Sequence, residues 1–201
     1  ENKLVGVLDV TQLSALKTLE LNKNLLTQVL LPVNGIIEVL YINENKLSQV
    51  DVSKLQNLKR LFLVNNEITS LDLSKNLILE RLHIDYNKIT SLDISNLSKL
   101  NWMSVNNNLL TEIKYTNNPL LKTIIAQNNA IETLNFQDGF PNVLTLINLT
   151  GNANFNKIIK DCNDSLPSAS VAVEDDCAGL GTHNTVKNRL EIYPNPAIEN
   201  L

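Results

Sequence analysis

The chain has 201 residues, of which 43% are apolar, and a formal net charge of −4 with a pI near 5.2. This acidic balance argues against a general nucleic-acid or anionic-membrane binder, because such proteins normally carry a basic stripe. No run of about 18 apolar residues occurs, so the sequence predicts no membrane span.

Asparagine recurs at a fixed interval through most of the chain. Six asparagines stand 21 residues apart and a seventh follows 23 residues later: Asn24, Asn45, Asn66, Asn87, Asn108, Asn129 and Asn152. Apolar residues precede each of them by three, five and eight positions, as Leu63, Leu61 and Leu58 precede Asn66. Fixed-period self-similarity with the pattern L-x-x-L-x-L-x-x-N-x-L predicts a leucine-rich repeat solenoid.

Each repeat divides into a strand, a turn and a return segment. Before the asparagine, apolar and polar residues alternate, which is typical of a strand with one buried face, and such strands stack in parallel. The asparagine amide is predicted to bond backbone groups that the strand leaves unpaired at the turn. The predicted fold is a right-handed horseshoe with a parallel β-sheet on its concave face. Turns, 3₁₀ pieces and extended chain are expected on the convex face, because each coil is too short for a full helix.

Three aspartates occupy one column of the return segment, each followed two residues later by serine: Asp51, Asp72 and Asp93. A column of carboxylates suggests calcium, but the dense set of acidic oxygens that calcium needs is lacking. The sequence favours carboxylates that bond nearby backbone amides at the bend. It predicts no metal site and no cofactor.

The predicted domain organisation follows the repeat. Residues 1–155 form the array, with a partial first coil and seven repeats of 21–23 residues. Residues 156–177 are the predicted C-terminal cap, because the ends of a solenoid expose core, and residues 178–188 are a linker. Cys162 and Cys177 flank a polar loop in the cap. They are expected to form a disulfide if the chain is secreted, and two free thiols are the alternative.

Strand alternation also identifies the exposed face of the sheet, at six, four and two positions before each asparagine. In coils two to five this face collects the candidate binding residues: Tyr41, Arg60, Phe62, Arg81, His83, Asp85 and Trp102. Tyr, Trp and Arg are enriched in binding hot spots, so the patch favours recognition of a partner. The alternative is that Arg60, Arg81 and Trp102 merely stack on one another, because cation–π contacts can be self-sufficient.

His83, Asp85 and Ser104 lie close together in this frame and raise the question of a hydrolase. A catalytic triad also needs an oxyanion site and a pocket that excludes water, and an open sheet is expected to offer neither. The sequence therefore predicts no catalytic residues and no enzyme activity.

The repeat resembles bacterial leucine-rich repeat proteins with short coils, including the internalin-like surface adhesins, over about three quarters of the chain. It departs from internalins in its 21-residue period and its Leu-Asp-x-Ser signature, so no internalin partner is carried over. The resemblance implies a surface-exposed binding module, commonly for protein and sometimes for glycan.

The tail carries a second resemblance. Residues 192–197 read Ile-Tyr-Pro-Asn-Pro-Ala, which resembles the opening of the C-terminal sorting domain of cargo exported by the type IX secretion system of Bacteroidota. Residues 189–201 are then the start of a truncated sorting domain, and the resemblance implies a secreted or outer-surface protein. An incidental proline-rich linker is the alternative.

These features together predict a secreted or cell-surface, monomeric, non-enzymatic module that recognises another protein through the concave face. Carbohydrate binding by the same patch is the alternative, with Tyr41, Phe62 and Trp102 stacked on sugar rings. A second alternative is an accessory or spacer domain of a larger secreted protein. No nucleic-acid partner is predicted.

Overall fold

The structure is a computed structural model that describes residues 3–33 and 35–166, together with the backbone of residues 172–175. Within these ranges the chain forms short strands and no helix. In chain order the strands are β1 (Val5–Asp9), β2 (Thr18–Glu20), β3 (Leu25–Leu30), β4 (Val39–Tyr41), β5 (Arg60–Phe62), β6 (Arg81–His83), β7 (Ser91–Asp93), β8 (Trp102–Ser104), β9 (Glu112–Lys114), β10 (Thr123–Ile125), β11 (Thr133–Asn135), β12 (Leu146–Asn148), β13 (Lys157–Lys160) and β14 (Ala172–Asp175).

The strands that precede the period-setting asparagines form one seven-stranded parallel sheet, in the order β2-β4-β5-β6-β8-β10-β12. Neighbouring strands are offset by one coil, so that Leu61 lies opposite both Leu40 and Leu82. The middle residue of each strand is buried, because strand side chains alternate between the two faces of the sheet. The leucine-rich repeat solenoid predicted from the sequence is confirmed.

The opposite side of the solenoid holds smaller groups of parallel strands, which pair as β1-β3, β7-β9 and β11-β13-β14. The 3₁₀ pieces expected there do not occur among the described residues, where strands and extended chain take their place. The apolar residue five positions after each asparagine explains the difference. Leu92 and Ile113 are each buried between two exposed neighbours and lie opposite one another in register, which is the pattern of a paired strand.

The core is aliphatic and repeats from coil to coil. Leu58, Leu61 and Leu63 of one repeat are fully buried, and burial of one such side chain stabilises the fold by about 1.5–3 kcal/mol. Tyr115 and Phe136 are the buried aromatic residues of the described chain, and their rings meet edge to face with centroids 4.9 Å apart. The aromatic part of the core therefore belongs to the C-terminal half of the array.

The seven asparagines that set the period, called the ladder asparagines below, fasten each coil to the next. Nδ2 of Asn66 donates to the carbonyl of Ile42 in the preceding coil at 2.8 Å and to that of Leu63 at 3.1 Å. Its Oδ1 accepts the N–H of Leu47 at 3.1 Å. The same bonds recur from Asn45 to Asn129. Because each bond satisfies a buried backbone group, these amides belong to the scaffold.

A second set of buried amides appears on the opposite side in alternate coils. At the position ten residues after a ladder asparagine, leucine and asparagine take turns as Leu55, Asn76, Leu97 and Asn118. Nδ2 of Asn76 donates to the carbonyls of Val52 and Leu55 at 3.0 and 2.9 Å, and Asn118 makes the equivalent pair of bonds. These amides join each asparagine coil to the leucine coil before it.

The chain continues the solenoid past the last ladder asparagine. β13 pairs in parallel with β11, and Ile158 in β13 is fully buried. In this region aspartates bond the turns, since Oδ2 of Asp161 accepts the N–H groups of Asp138 and Gly139 at 2.9 and 2.7 Å. In these C-terminal coils, carboxylates therefore make bonds between coils, as the ladder amides do throughout the array.

Several predictions for the tail fall outside the described residues. Cys162 lies in the turn after β13, whereas Cys177 and residues 178–201 are not described. The Cys162–Cys177 pairing, the cap boundaries, the linker and the start of a sorting domain therefore stay predictions.

Candidate binding face

Four rings form a continuous row across β4, β5, β6 and β8 on the exposed face of the seven-stranded sheet. This ring row consists of Tyr41, Phe62, His83 and Trp102. Tyr41 and Phe62 are stacked, with centroids 4.6 Å apart and planes 20° apart. Phe62 meets His83 edge to face at 6.1 Å, and His83 meets Trp102 in the same way at 5.4 Å. All four side chains are half-buried, so each keeps part of its surface accessible.

The parallel register explains the row. Tyr41, Phe62 and His83 occupy the same position in three neighbouring strands, and paired strands lie about 4.8 Å apart, which is stacking distance. Trp102 lies two residues earlier in its own strand, opposite Arg81, and its ring reaches back to His83. The repeat therefore places aromatic residues from distant parts of the chain in direct contact.

Arg60 and Arg81 lie directly opposite each other on β5 and β6, and Trp102 continues their column on β8. Both arginine side chains are exposed. Within the described residues neither guanidinium makes a hydrogen bond, an ion pair or a ring contact. The self-contained cation–π stack that the sequence left open is therefore not formed, and both groups face solvent.

Asp85 lies on the same face, but it is only 8% exposed, which corrects the expectation of an exposed contact residue. Its Oδ1 accepts the hydroxyl of Ser104 at 2.7 Å and the backbone N–H of Asn106 at 2.8 Å. Its Oδ2 accepts Nδ2 of Asn106 at 3.0 Å and lies 3.1 Å from Nε2 of His83. Since all these partners belong to the sheet, Asp85 holds neighbouring coils together and orients His83.

The His83, Asp85 and Ser104 side chains have the composition of a catalytic triad but a different order of contacts. In a triad the serine hydroxyl donates to the histidine, and the histidine donates to the carboxylate. Here the hydroxyl of Ser104 donates to Asp85, and Ser104 is 2% exposed. The group does not present an activated nucleophile to a substrate.

In several coils the side chain two residues before the ladder asparagine has a structural role that was not predicted from the sequence. Oδ1 of Asn22 accepts the backbone N–H of Asn43 in the next coil at 2.8 Å, and Asn43 serves the following coil in the same way. Asp85 and Asn106 make equivalent bonds. Amide or acid recurs at this position in most coils, with Val64 and Thr150 as the exceptions, and this recurrence is the sequence signal for the second ladder.

The aspartate column on the opposite side forms turns, as the sequence favours. Asp51, Asp72 and Asp93 each accept the N–H of the serine two residues later, at 2.8–2.9 Å. Hydrogen bonds from the hydroxyl and the backbone of this serine hold the pKa of Asp51 and of Asp72 below the usual range of an aspartate. In the part of the chain that the structure describes, no three His, Cys, Asp or Glu side chains are grouped closely enough to hold a metal ion.

Two further observations concern surfaces away from the ring row. A cavity of about 610 Å³ lies beside the first coils on the opposite side, lined by residues that include Gln28, Pro32 and Val50. None of the ring-row residues borders it. No helix among the described residues is long and apolar enough to cross a membrane.

The coils, the ladder and the parallel sheet define the fold as a leucine-rich repeat solenoid. No protein-family model matches the chain, and no curated protein matches it either. Among solved structures, the chain is similar to a leucine-rich repeat protein of Leptospira interrogans, with 24% identity over 78% of this chain and 45% of that one, and a TM-score of 0.45. It is also similar to the functional domain of InlJ from Listeria monocytogenes, which includes a cysteine ladder, with 20% identity over 82% of this chain and 54% of that one, and a TM-score of 0.37. The chain thus spans about half the length of these two solved structures.

Proposed function

We propose that this solenoid is a non-enzymatic binding module that recognises another protein through the face carrying the ring row and the arginine pair. The observation that carries the proposal is the contiguity of these groups: the rings contact one another across four strands, and two exposed guanidinium groups lie beside them. Aromatic and arginine side chains dominate the energetics of protein interfaces.

The rigidity of the face supports binding. Binding energy is lost when side chains or loops must be ordered on association. The ring-row residues sit on strands that pair on both sides, and neighbouring rings restrict one another. The face is therefore preorganised, and little of the contact energy is spent on ordering it.

Ring orientation favours a protein partner over a glycan. A sugar ring stacks on an aromatic face that is open to solvent, whereas Tyr41 and Phe62 cover part of each other's faces. His83 and Trp102 meet at 84°, so they do not form a common plane either. Irregular ring edges beside arginine suit the mixed apolar and polar surface of a protein.

The location of the protein is part of the proposal. The Ile-Tyr-Pro-Asn-Pro-Ala segment at residues 192–197 supports export and a place outside the cell or on its surface. The 201-residue chain then acts either alone or as the binding part of a longer secreted protein. Its activity would be adhesion or recognition, with no chemical step.

The test is a binding screen against purified extracellular-matrix proteins and a glycan array, with the double variant Phe62→Ala/Trp102→Ala beside the wild type. For a protein identified in the screen we expect the double variant to bind about 30-fold more weakly or worse, the effect of losing one interface hot spot. Both side chains are half-buried on the surface, so circular dichroism and the melting temperature should change little.

A control variant removes two exposed apolar side chains elsewhere on the surface. Leu77 and Leu109 are 51% and 56% exposed and lie outside the seven-stranded sheet. The variant Leu77→Ala/Leu109→Ala should bind the partner as the wild type does. Equal affinity of the ring-row variant and the wild type would contradict the proposal, and ring-dependent binding on the glycan array alone would favour carbohydrate recognition.

A further inference from the structure

The arginine pair, Arg60 and Arg81, lacks a counter-charge in the described chain. The two residues are direct neighbours in the register of β5 and β6, and both are exposed. Of the nearby carboxylates, Glu38 lies 2.7 Å from Lys59 and Asp85 lies 3.1 Å from His83. Glu80, which precedes Arg81 in the chain, forms no ion pair with either arginine. Two adjacent positive charges are thus left to solvent beside the ring row.

The stability of the fold does not account for this pair. Like charges directly opposite each other on paired strands destabilise a sheet. Elsewhere the solenoid alternates charge between coils: Glu38 lies between Lys17 and Lys59, and Glu67 meets Lys88 at 2.8 Å. The arginine pair breaks this alternation in the middle of the candidate binding face.

We propose that the arginine pair receives a carboxylate from an acidic, extended segment of a partner protein, while an aromatic side chain of that segment packs on the ring row. This inference rests on the proposed function and adds the chemistry of the contact. A planar guanidinium matches a carboxylate through two parallel hydrogen bonds. Two neighbouring guanidinium groups hold the acid from both sides and relieve their mutual repulsion.

Strand geometry fixes the spacing of the two groups. Arg60 and Phe62 are two residues apart on β5 and point to the same face, which separates them by about 7 Å. Residues i and i+2 of an extended peptide point to one side and are separated by the same distance. A segment that reads acidic-x-aromatic and lies along the strands therefore presents both groups at once.

The charge of the whole protein argues against a polyanion as the occupant. The chain carries a net charge of −4, which repels a long phosphodiester or sulfated chain. Two arginines neutralise only a short stretch of such a chain, because its affinity grows with the number of contacted charges. A single carboxylate flanked by uncharged or apolar groups is the better match.

The test uses two capped peptides, Ser-Glu-Ser-Trp-Ser and Ser-Gln-Ser-Trp-Ser, titrated to millimolar concentration into isotope-labelled protein and followed by nuclear magnetic resonance. We expect the glutamate peptide to bind the wild type about tenfold more tightly than the glutamine peptide, with shifts at Arg60, Arg81 and the ring row. In the variant Arg60→Gln/Arg81→Gln this preference should disappear. Added salt should also reduce it, because the pair is exposed.

The control variant Lys54→Gln/Lys75→Gln removes the same charge from exposed positions outside the seven-stranded sheet. It should keep the preference for the glutamate peptide. A third peptide, Ser-Glu-Trp-Ser, places the two groups on opposite sides and should bind more weakly than the i, i+2 peptide.

Three results with the peptides would overturn the inference: no shifts with any peptide, equal binding of the glutamate and glutamine peptides, or a preference that survives Arg60→Gln/Arg81→Gln. A fourth is arginine-dependent binding of oligogalacturonate, titrated as a polyanionic glycan, when the peptides do not bind. These failures differ from failure of the proposed function. If Phe62→Ala/Trp102→Ala still loses an identified protein partner, the binding face stands and only the acidic contact is wrong.

Discussion

The central coils (residues 39–108) and the C-terminal coils (residues 115–164) differ in the side chains that bond one coil to the next beyond the shared ladder asparagines. In the central coils the ladder amides repeat one set of bonds, and Asn66 and Asn87 illustrate it with nearly equal distances. In the C-terminal coils aspartates bond the turns: Oδ2 of Asp138 accepts the N–H of Asn117, and Oδ1 of Asp164 accepts that of Asn142. The ladder amides continue in these coils through Asn129 and Asn152, so a charged connection is added to the neutral one toward the C-terminal end of the solenoid.

The difference matters because amides and carboxylates behave differently when buried. An amide donates and accepts at once and does not titrate, whereas an ionised carboxylate only accepts and is destabilised when it leaves water. Burial raises the pKa of Asp164 and that of Tyr115, whose hydroxyl donates to Asn142. The central coils should therefore resist changes in pH better than the C-terminal coils.

The largest effect is expected from loss of a ladder amide. Asn66→Leu leaves the buried N–H of Leu47 without its partner and leaves the carbonyl of Ile42 with only the longer bond from Asn45, at 3.5 Å. This should lower the free energy of unfolding by about 2–4 kcal/mol. Urea denaturation followed by circular dichroism measures it.

Asn76→Leu is the matched control, because Leu55 and Leu97 occupy the same position in neighbouring coils. Asn76 is fully buried and its Oδ1 has no hydrogen-bond partner, so its replacement removes a polar group that is only partly satisfied. The change should be less than about 1 kcal/mol. Equal losses for Asn66→Leu and Asn76→Leu would show that burial, and not ladder bonding, sets the cost.

A smaller and local effect is expected from Tyr115→Phe. The variant keeps the ring contact with Phe136 but leaves Oδ1 of Asn142 without the phenol, and it should cost about 1–2 kcal/mol. In a solenoid each coil contacts only its neighbours, so amide hydrogen exchange should speed up in residues 131–160 and stay unchanged in residues 39–87.

Tyr41→Phe is the control for loss of a hydroxyl, since Tyr41 is half-buried on the ring row. It should change the free energy of unfolding by less than about 0.5 kcal/mol. Faster hydrogen exchange throughout the chain after Tyr115→Phe would mean that the array unfolds as one unit. The central and C-terminal coils would then not differ in local stability.

The sequence predicted those features that follow from counting residues. Counting back from Asn66 identifies Leu61 as buried and Phe62 as part of the open face, because a period of 21 residues and the alternation of a strand are geometric rules. The burial of Asp85 could not be predicted in this way. Asp85 is buried because Ser104 and Asn106 in the next coil donate hydrogen bonds to it. The alternation of side chains within one strand carries no information about donors in the neighbouring strand.

The C-terminal coils were less predictable for a related reason. The interval between Asn129 and Asn152 is 23 residues, so positions can no longer be assigned by counting in steps of 21. No sequence pattern indicates that Asp161 and Asp164 bond the neighbouring turn. The placement of the rings was predictable, but their contacts were not, because Trp102 reaches His83 from a different strand position.

A modest effect is expected from Asp85→Asn. The same column holds Asn22, Asn43 and Asn106, whose Oδ1 atoms accept the N–H of the next coil, and asparagine at position 85 can do the same. The loss should be about 1 kcal/mol, against about 2–3 kcal/mol for Asp85→Ala, which removes every one of these bonds. Thermal denaturation of both variants measures the difference. Equal destabilisation would mean that the charge beside His83, and not the bond to the next coil, is what Asp85 supplies.

The smallest effect is a pair of pH dependences with opposite sign. Burial raises the pKa of Asp164, so its contribution to stability is present below about pH 4 and is lost as the pH rises through its folded pKa. The hydroxyl and backbone of Ser53 lower the pKa of Asp51, so its contribution is present above about pH 4 and is lost as the pH falls through its folded pKa. Unfolding free energies of wild type, Asp164→Asn and Asp51→Asn, measured by urea denaturation from acidic to neutral pH, separate the two cases.

Relative to Asp164→Asn, the wild type should lose stability as the pH rises, because the buried carboxylate must ionise in a poorly hydrated site. Relative to Asp51→Asn, the wild type should gain stability over the same change, because an ionised carboxylate accepts the serine hydrogen bonds more strongly. The second slope should be the shallower one, since Asp51 is exposed and water competes for its oxygens. Slopes of the same sign would show that the acidic turns of the C-terminal coils are solvated in the same way as those of the central coils, and the chemical contrast between the two regions would fail.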